Sequence, residues 1–195
     1  MDPEVSKGMT VNSKPLIVNC FSGPGAGKST LAARLYSALK LQHYDVEYVN
    51  EFAKELVYEN NTMALANQVF VFGTQLHRMT TAAQSNGIVI CDSPILLSAV
   101  YNSHTSKHLI ELVVDMHERF HNFNIFIKRT EQPHSMVGRV HSLTQSISID
   151  NQIIELLKSR GISYIEYDPS TETLDTLLYH IKAQYGKETN WNVES

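Results

Sequence analysis

The residues best suited to chemistry lie close together in the run SGPGAGKST, from Ser22 to Thr30. A nucleotide triphosphate concentrates negative charge on its β- and γ-phosphates, and that charge is costly to desolvate unless donors already point at it. Gly23, Gly25 and Gly27 lack a Cβ, so the backbone there can reach positive φ and turn successive N–H groups toward the phosphates. A helix starting at the end of the run would add its free N–H groups and the positive end of its dipole. Lys28 would then reach the β- and γ-phosphates as a point charge, and the Ser29 hydroxyl would ligate Mg²⁺. The spacing follows G-x-x-x-x-G-K-[ST], with Ser22 standing where the first glycine is usual. The expected nucleotide-binding set is Gly23, Pro24, Gly25, Ala26, Gly27, Lys28, Ser29 and Thr30.

Further candidates lie along the chain. Asp92 closes the apolar run Ile88-Val89-Ile90-Cys91, the form of a second nucleotide-binding motif whose carboxylate holds Mg²⁺ together with Ser29; it also fits a helix cap ahead of Pro94. Ser93 follows it where motor-type ATPases place a water-activating glutamate, which favours transfer to an acceptor over hydrolysis. No Asn-Lys-x-Asp guanine signature is present. Glu51 can take the acceptor's proton, or it is an ordinary first-turn glutamate stabilised by a helix dipole. Gln75 and Arg78, one helical turn apart, either project together at an acceptor or lie on a solvated face. Arg129 and Arg139 flank an irregular segment and would deliver guanidinium groups to the charge that develops during phosphoryl transfer. His117, Glu118 and His121 spell H-E-x-x-H on a predicted helix, but no third ligand follows at a zinc-protease spacing, and the helix's apolar stripe explains the segment as core.

The elements that must position these residues alternate. Residues 16–21 form an apolar strand, and Leu31, Leu35 and Leu39 mark the helix after the glycines. A short strand over 45–51 leads to a helical stretch beginning FAKELVYEN, and a long helix is expected over 62–85, with Leu65, Val69, Phe72 and Leu76 on its stripe. Asn86 and Gly87 stop it. The unbroken apolar run after them suits a strand buried on both faces, and Pro94 is expected to open the next helix. A helix over 105–120, a strand over 124–129, a helix from 149 stopped by Gly161, a strand in ISYIEYD and a last helix over 171–184 complete the pattern. Strands alternating with helices give a parallel sheet whose strand C-termini share one edge, which would gather the glycine loop, Glu51, Asp92 and Arg129 in one crevice.

A chain of 195 residues with no repeat or linker is one domain, expected over 15–185, with a mobile arm at 1–14, a lid at 130–146 and a polar tail at 186–195. Its composition, 43% hydrophobic and 18% charged, is that of an ordinary globular protein. The net charge of −4 leaves no global basic footprint for nucleic acid. No apolar run is long enough for a membrane span and the first residues are too polar for a signal peptide, so an intracellular protein with no membrane partner is expected. Cys20 and Cys91 read as buried strand thiols.

The succession GPGAGKST, VNEFAKELVYE, FGTQLHRM, VICDSPILLSAVY and FIKR followed by VGR resembles small P-loop kinases of the nicotinamide-riboside-kinase-like group. It is similar above all to phage-encoded members often labelled AAA-like ATPases or nucleotide kinases. The resemblance implies a three-layer α/β P-loop fold with a five-stranded parallel sheet and a lid, and ATP with Mg²⁺ as co-substrates. The implied reaction phosphorylates a hydroxyl or phosphate of a nucleoside- or nucleotide-like acceptor, in a host cytoplasm for a phage-encoded protein. By position it gives Lys28 and Ser29 to phosphate and metal, Asp92 to metal, Glu51 to the acceptor, and Arg129 and Arg139 to the lid. Two alternatives stay open: a kinase acting on hydroxymethylated pyrimidine in DNA, and a nucleotide-dependent regulatory module that transfers nothing.

Overall fold

The computed structural model describes residues 14–101, 107–130 and 142–189. Strands β1 (Leu16–Phe21), β2 (Val46–Val49), β3 (Ile88–Cys91), β4 (His121–Ile127) and β5 (Ile165–Tyr167) pair in parallel in the order β2-β3-β1-β4-β5. The helices are α1 (Lys28–Leu41), α2 (Phe52–Tyr58), α3 (Thr62–Ala66), α4 (Gln68–Ser85), α5 (Leu97–Val100), α6 (Lys107–Glu118), α7 (Leu143–Ser159) and α8 (Leu174–Thr189). This is a three-layer α/β fold with helices on both faces of a parallel sheet.

The two-residue alternation of the strands divides the interior. Leu16, Val18 and Cys20 pack against Leu31, Leu35 and Leu39 of α1 and Leu177 and Ile181 of α8. Ile17, Phe21, Val89 and Cys91 face Phe72 and Met79 of α4, Val113 of α6 and Ile153 of α7. The two cysteines therefore sit on opposite faces as buried free thiols. Phe52, Leu56 and Val71 form a small separate cluster that seats α2 on α4. β2 is an edge strand. Ile88 N–H donates to Asp45 and Asp92 N–H to Val49, which turns the polar groups of residues 46, 48 and 50 outward. Lys40 Nζ donates to the Val46 carbonyl at 2.7 Å, Glu47 Oε1 accepts from Tyr48 N–H at 2.9 Å, and Gln75 Nε2 donates to the Asn50 carbonyl at 3.1 Å. Side chains thus cap the edge that would otherwise recruit another strand.

Several boundaries differ from those expected. The helix predicted over 62–85 is broken at Asn67, whose side chain accepts from Phe70 N–H and caps α4 in place of the continuing helical bond. The buried stripe of α4 accordingly runs through Gln68, Val71, Phe72, Gln75 and Met79. Pro94 does not open a helix: its carbonyl accepts from Leu97 N–H in a turn, and α5 follows. Four residues of the expected lid, 143–146, belong to α7, because Ser142 and Gln145 form a reciprocal capping box. Residues 186–189 of the expected tail continue α8. The arm at 1–13, the central lid segment at 131–141 with Arg139, and residues 190–195 lie outside the described residues. H-E-x-x-H is not on one helix, since α6 ends at Glu118 and His121 begins β4. His117 points into the interior, 3% exposed, and among the described residues no cluster of ligating side chains could hold a metal.

Candidate active site

Each of the first four strands in the sheet order leads to a candidate residue, and that order fixes their sequence along the edge: Glu51 beyond β2, Asp92 beyond β3, the phosphate loop beyond β1 and Arg129 beyond β4. Ligands of open parallel sheets bind at this edge. Gly25 and Gly27 adopt φ of 84° and 95°, and Gly27 is the N-cap of α1, so the chain enters the helix through a conformation that only glycine adopts cheaply. Lys28, the first residue of α1, is 8% exposed and its Nζ donates to the Gly23 carbonyl at 3.2 Å across the loop.

Ser22, the departure from the usual pattern, has a local explanation. Its hydroxyl donates to Asp150 Oδ1 of α7 at 3.0 Å, and the same oxygen accepts from Gly23 N–H at 2.5 Å. Asp150 Oδ2 accepts from Arg129 Nε, while Nη1 of that arginine donates to the Pro24 carbonyl at 2.8 Å and Nη2 to the Ser146 carbonyl at 3.2 Å. A Cβ on Gly23 would meet the Ser146 carbonyl at 2.5 Å, so glycine is needed here for close approach. The guanidinium of Arg129, expected as a lid residue, holds the loop against α7.

Asp92 is 3% exposed and does not cap a helix. Its Oδ2 accepts from the Tyr48 hydroxyl at 3.2 Å, and its Oδ1 is buried with no hydrogen-bond partner among the described residues. A buried carboxylate oxygen of this kind calls for a cation or a donor from beyond the described residues, and it lies at the strand end beside the loop that leads to Ser29. The donor set, one carboxylate and one hydroxyl, suits a hard divalent ion such as Mg²⁺. Glu51 is the N-cap residue of α2, yet its side chain makes no capping bond. Burial raises its carboxyl above the ordinary value; Lys28 pulls it down, Asp92 pushes it up and Lys54 lowers it. The Tyr101 phenol is likewise raised by burial, then by the charges of Glu51 and Asp150, while Arg129 lowers it.

Gln75 and Arg78, one turn apart on α4, each bond to α2 or the turn before it. Gln75 is 3% exposed, with Oε1 accepting from Phe52 N–H at 3.1 Å and Nε2 donating to Asn50. Arg78 makes a bidentate pair with Glu55 at 2.7 Å and lies 4.8 Å from the Phe52 ring centre. It lines a groove of about 580 Å³ with Glu47, Tyr48, Asn50, Glu55 and His77. The expected stripe missed this because it ran straight through Asn67. Asp150 was missed too, although a polar residue at a buried stripe position, with Ser146, Ile149, Ile153 and Leu157, is a readable signal.

A family model described as AAA domain (AAA_28) matches residues 19–174. No curated protein matches the chain at a significant level. Among solved structures, the NadR protein in complex with NR superposes with a TM-score of 0.63 at 16% identity, over 93% of this chain and 54% of that one. Deoxyadenosine kinase from M. mycoides, with dCMP and dCDP bound, superposes with a TM-score of 0.52 at 13% identity, over 89% of this chain and 99% of that one. The chain spans about half the length of NadR. At these identities the likeness is one of fold. Among the described residues no helix is long and apolar enough to cross a membrane.

Proposed function

The chain belongs to the AAA domain family AAA_28, and on that premise we propose that it is an ATP-dependent phosphotransferase whose acceptor is a nucleoside- or nucleotide-like molecule. The observation that carries this reading is Glu51: a carboxylate just beyond the end of β2 that makes no capping bond to α2, raised by burial and under the charges of Lys28 and Asp92. A base of this kind suits an acceptor hydroxyl whose proton must leave as the γ-phosphoryl arrives. The loop N–H groups and Lys28 hold the triphosphate and stabilise the charge that spreads over the transferred group. Ser29 and Asp92 would hold Mg²⁺, which when bound neutralises charge on the β- and γ-phosphates. Arg129 keeps the loop in shape through Asp150 and the Pro24 carbonyl.

Similarity of fold to a protein solved with NR and to a deoxyadenosine kinase supports a nucleoside-like acceptor. The sequence resemblance to phage-encoded kinases adds hydroxymethylated pyrimidine in DNA to the substances worth testing. The test is transfer of label from γ-labelled ATP across nucleosides, nucleotides, nicotinamide riboside and modified DNA. Labelled product with one of them is expected. ATP bound but stable with all of them would contradict the reading and favour a nucleotide-dependent binding module.

A further inference from the structure

We infer that Gln75 is a positioning residue of this reaction, fixing the turn that carries Glu51 against the strand end that carries Asp92. The inference rests on the phosphotransferase reading and assigns a part of the same site. The buried amide grips both peptide units beside Glu51, the Asn50 carbonyl through Nε2 at 3.1 Å and the Phe52 N–H through Oε1 at 3.1 Å. Its Nε2 also lies 3.8 Å from Sγ of Cys91, the residue that precedes Asp92. One side chain therefore touches the supports of the base and of the metal carboxylate at once.

Both backbone groups need such a partner. Phe52 N–H is the first of α2 and has no acceptor within its helix, and the Glu51 side chain does not cap it. The Asn50 carbonyl faces outward from the sheet edge. α2 is only seven residues long and packs through its own small cluster, so it cannot hold the turn by core burial alone. α4 is eighteen residues long and anchored in the main core by Phe72 and Met79. It grips α2 a second time one turn later, where Arg78 pairs with Glu55. A leucine or methionine at 75 would fill the stripe without burying an amide, so what the glutamine adds is this pair of bonds.

The test is a double-mutant cycle of Gln75→Leu with Glu51→Gln, with Gln75→Met as a second, unbranched variant of similar length. Transfer from γ-labelled ATP is measured with a mixture of nicotinamide riboside and deoxynucleosides as acceptor, and MgATP affinity by calorimetry. Both Gln75 variants should bind MgATP within about twofold of the unmodified protein and lose roughly tenfold or more in kcat, the scale expected when a reacting group shifts by a fraction of an ångström. In the Glu51→Gln background they should cost nothing further. Losses that multiply in the double variant, loss of MgATP binding, or unchanged kcat would each overturn the role of Gln75 while leaving phosphotransfer standing. No transfer by the unmodified protein would overturn the phosphotransferase reading and this inference with it.

Discussion

Removing the Lys28 ammonium takes away a donor that acts where charge grows during transfer, so Lys28→Ala should lower kcat by about 10²–10³-fold, as measured by initial rates of label transfer. Glu51→Gln should lower kcat by about 10²–10⁴-fold with little change in MgATP affinity, and unchanged turnover would remove Glu51 from the mechanism. Because burial holds the Glu51 carboxyl above its ordinary value, the base is lost as pH falls through that raised value. The acid limb of kcat/KM should therefore lie above the range of a solvated glutamate. The folded protein also binds this proton more tightly than the unfolded chain does, so the Glu51 carboxylate costs stability once pH rises past that value. Glu51→Gln should match or exceed the unmodified protein in Tm at neutral pH. At this scale the sequence displayed the residues that stand just beyond a strand or at the helix start that follows it: Lys28, Ser29, Glu51 and Asp92. It concealed Asp150 and the burial of Gln75, since both occupy stripe positions that periodicity assigns to apolar side chains.

The phosphate loop is an element shaped from outside itself. Asp150 receives the Ser22 hydroxyl, the Gly23 N–H and the Arg129 guanidinium, with the Arg129 and Asp150 side chains only 16% and 12% exposed. Asp150→Ala leaves that guanidinium buried without its carboxylate and should cost roughly 3–5 kcal/mol of stability, together with weaker MgATP binding. Ser22→Gly restores the usual glycine and removes one hydroxyl bond, a loss of about 1 kcal/mol, with activity kept. Denaturant titration of the two variants checks the order; equal losses would contradict it. Helix boundaries were harder to read than helix existence for the same reason that this lock was hidden. Asn67 and the Ser142–Gln145 box decide where α4 and α7 begin through side chain to backbone bonds that leave little trace in hydrophobic periodicity.

Across the whole molecule, the alternation of apolar strands and amphipathic helices was enough to indicate a parallel sheet, and the crossover rule put the loop, Glu51, Asp92 and Arg129 on one edge. The order β2-β3-β1-β4-β5 was not legible, because buried runs such as LIVNCF and IVIC can pair with any neighbour. Stability as a whole should carry the mark of His117, which burial lowers to about 4. The folded state keeps this imidazole neutral while the unfolded chain takes up a proton below its ordinary value near 6.5. Stability should then fall by about 3 kcal/mol as pH drops from about 6.5 to about 4, and His117→Leu should flatten that slope in urea titrations. The central claim is that the crevice directs the γ-phosphoryl to an acceptor and not to water. A rapid-quench single turnover with γ-labelled MgATP and an acceptor from the panel measures this as the ratio of label in organic product to label in inorganic phosphate. Label predominantly in organic product, abolished by Lys28→Ala and Glu51→Gln, is the predicted result; label released only as inorganic phosphate would contradict it.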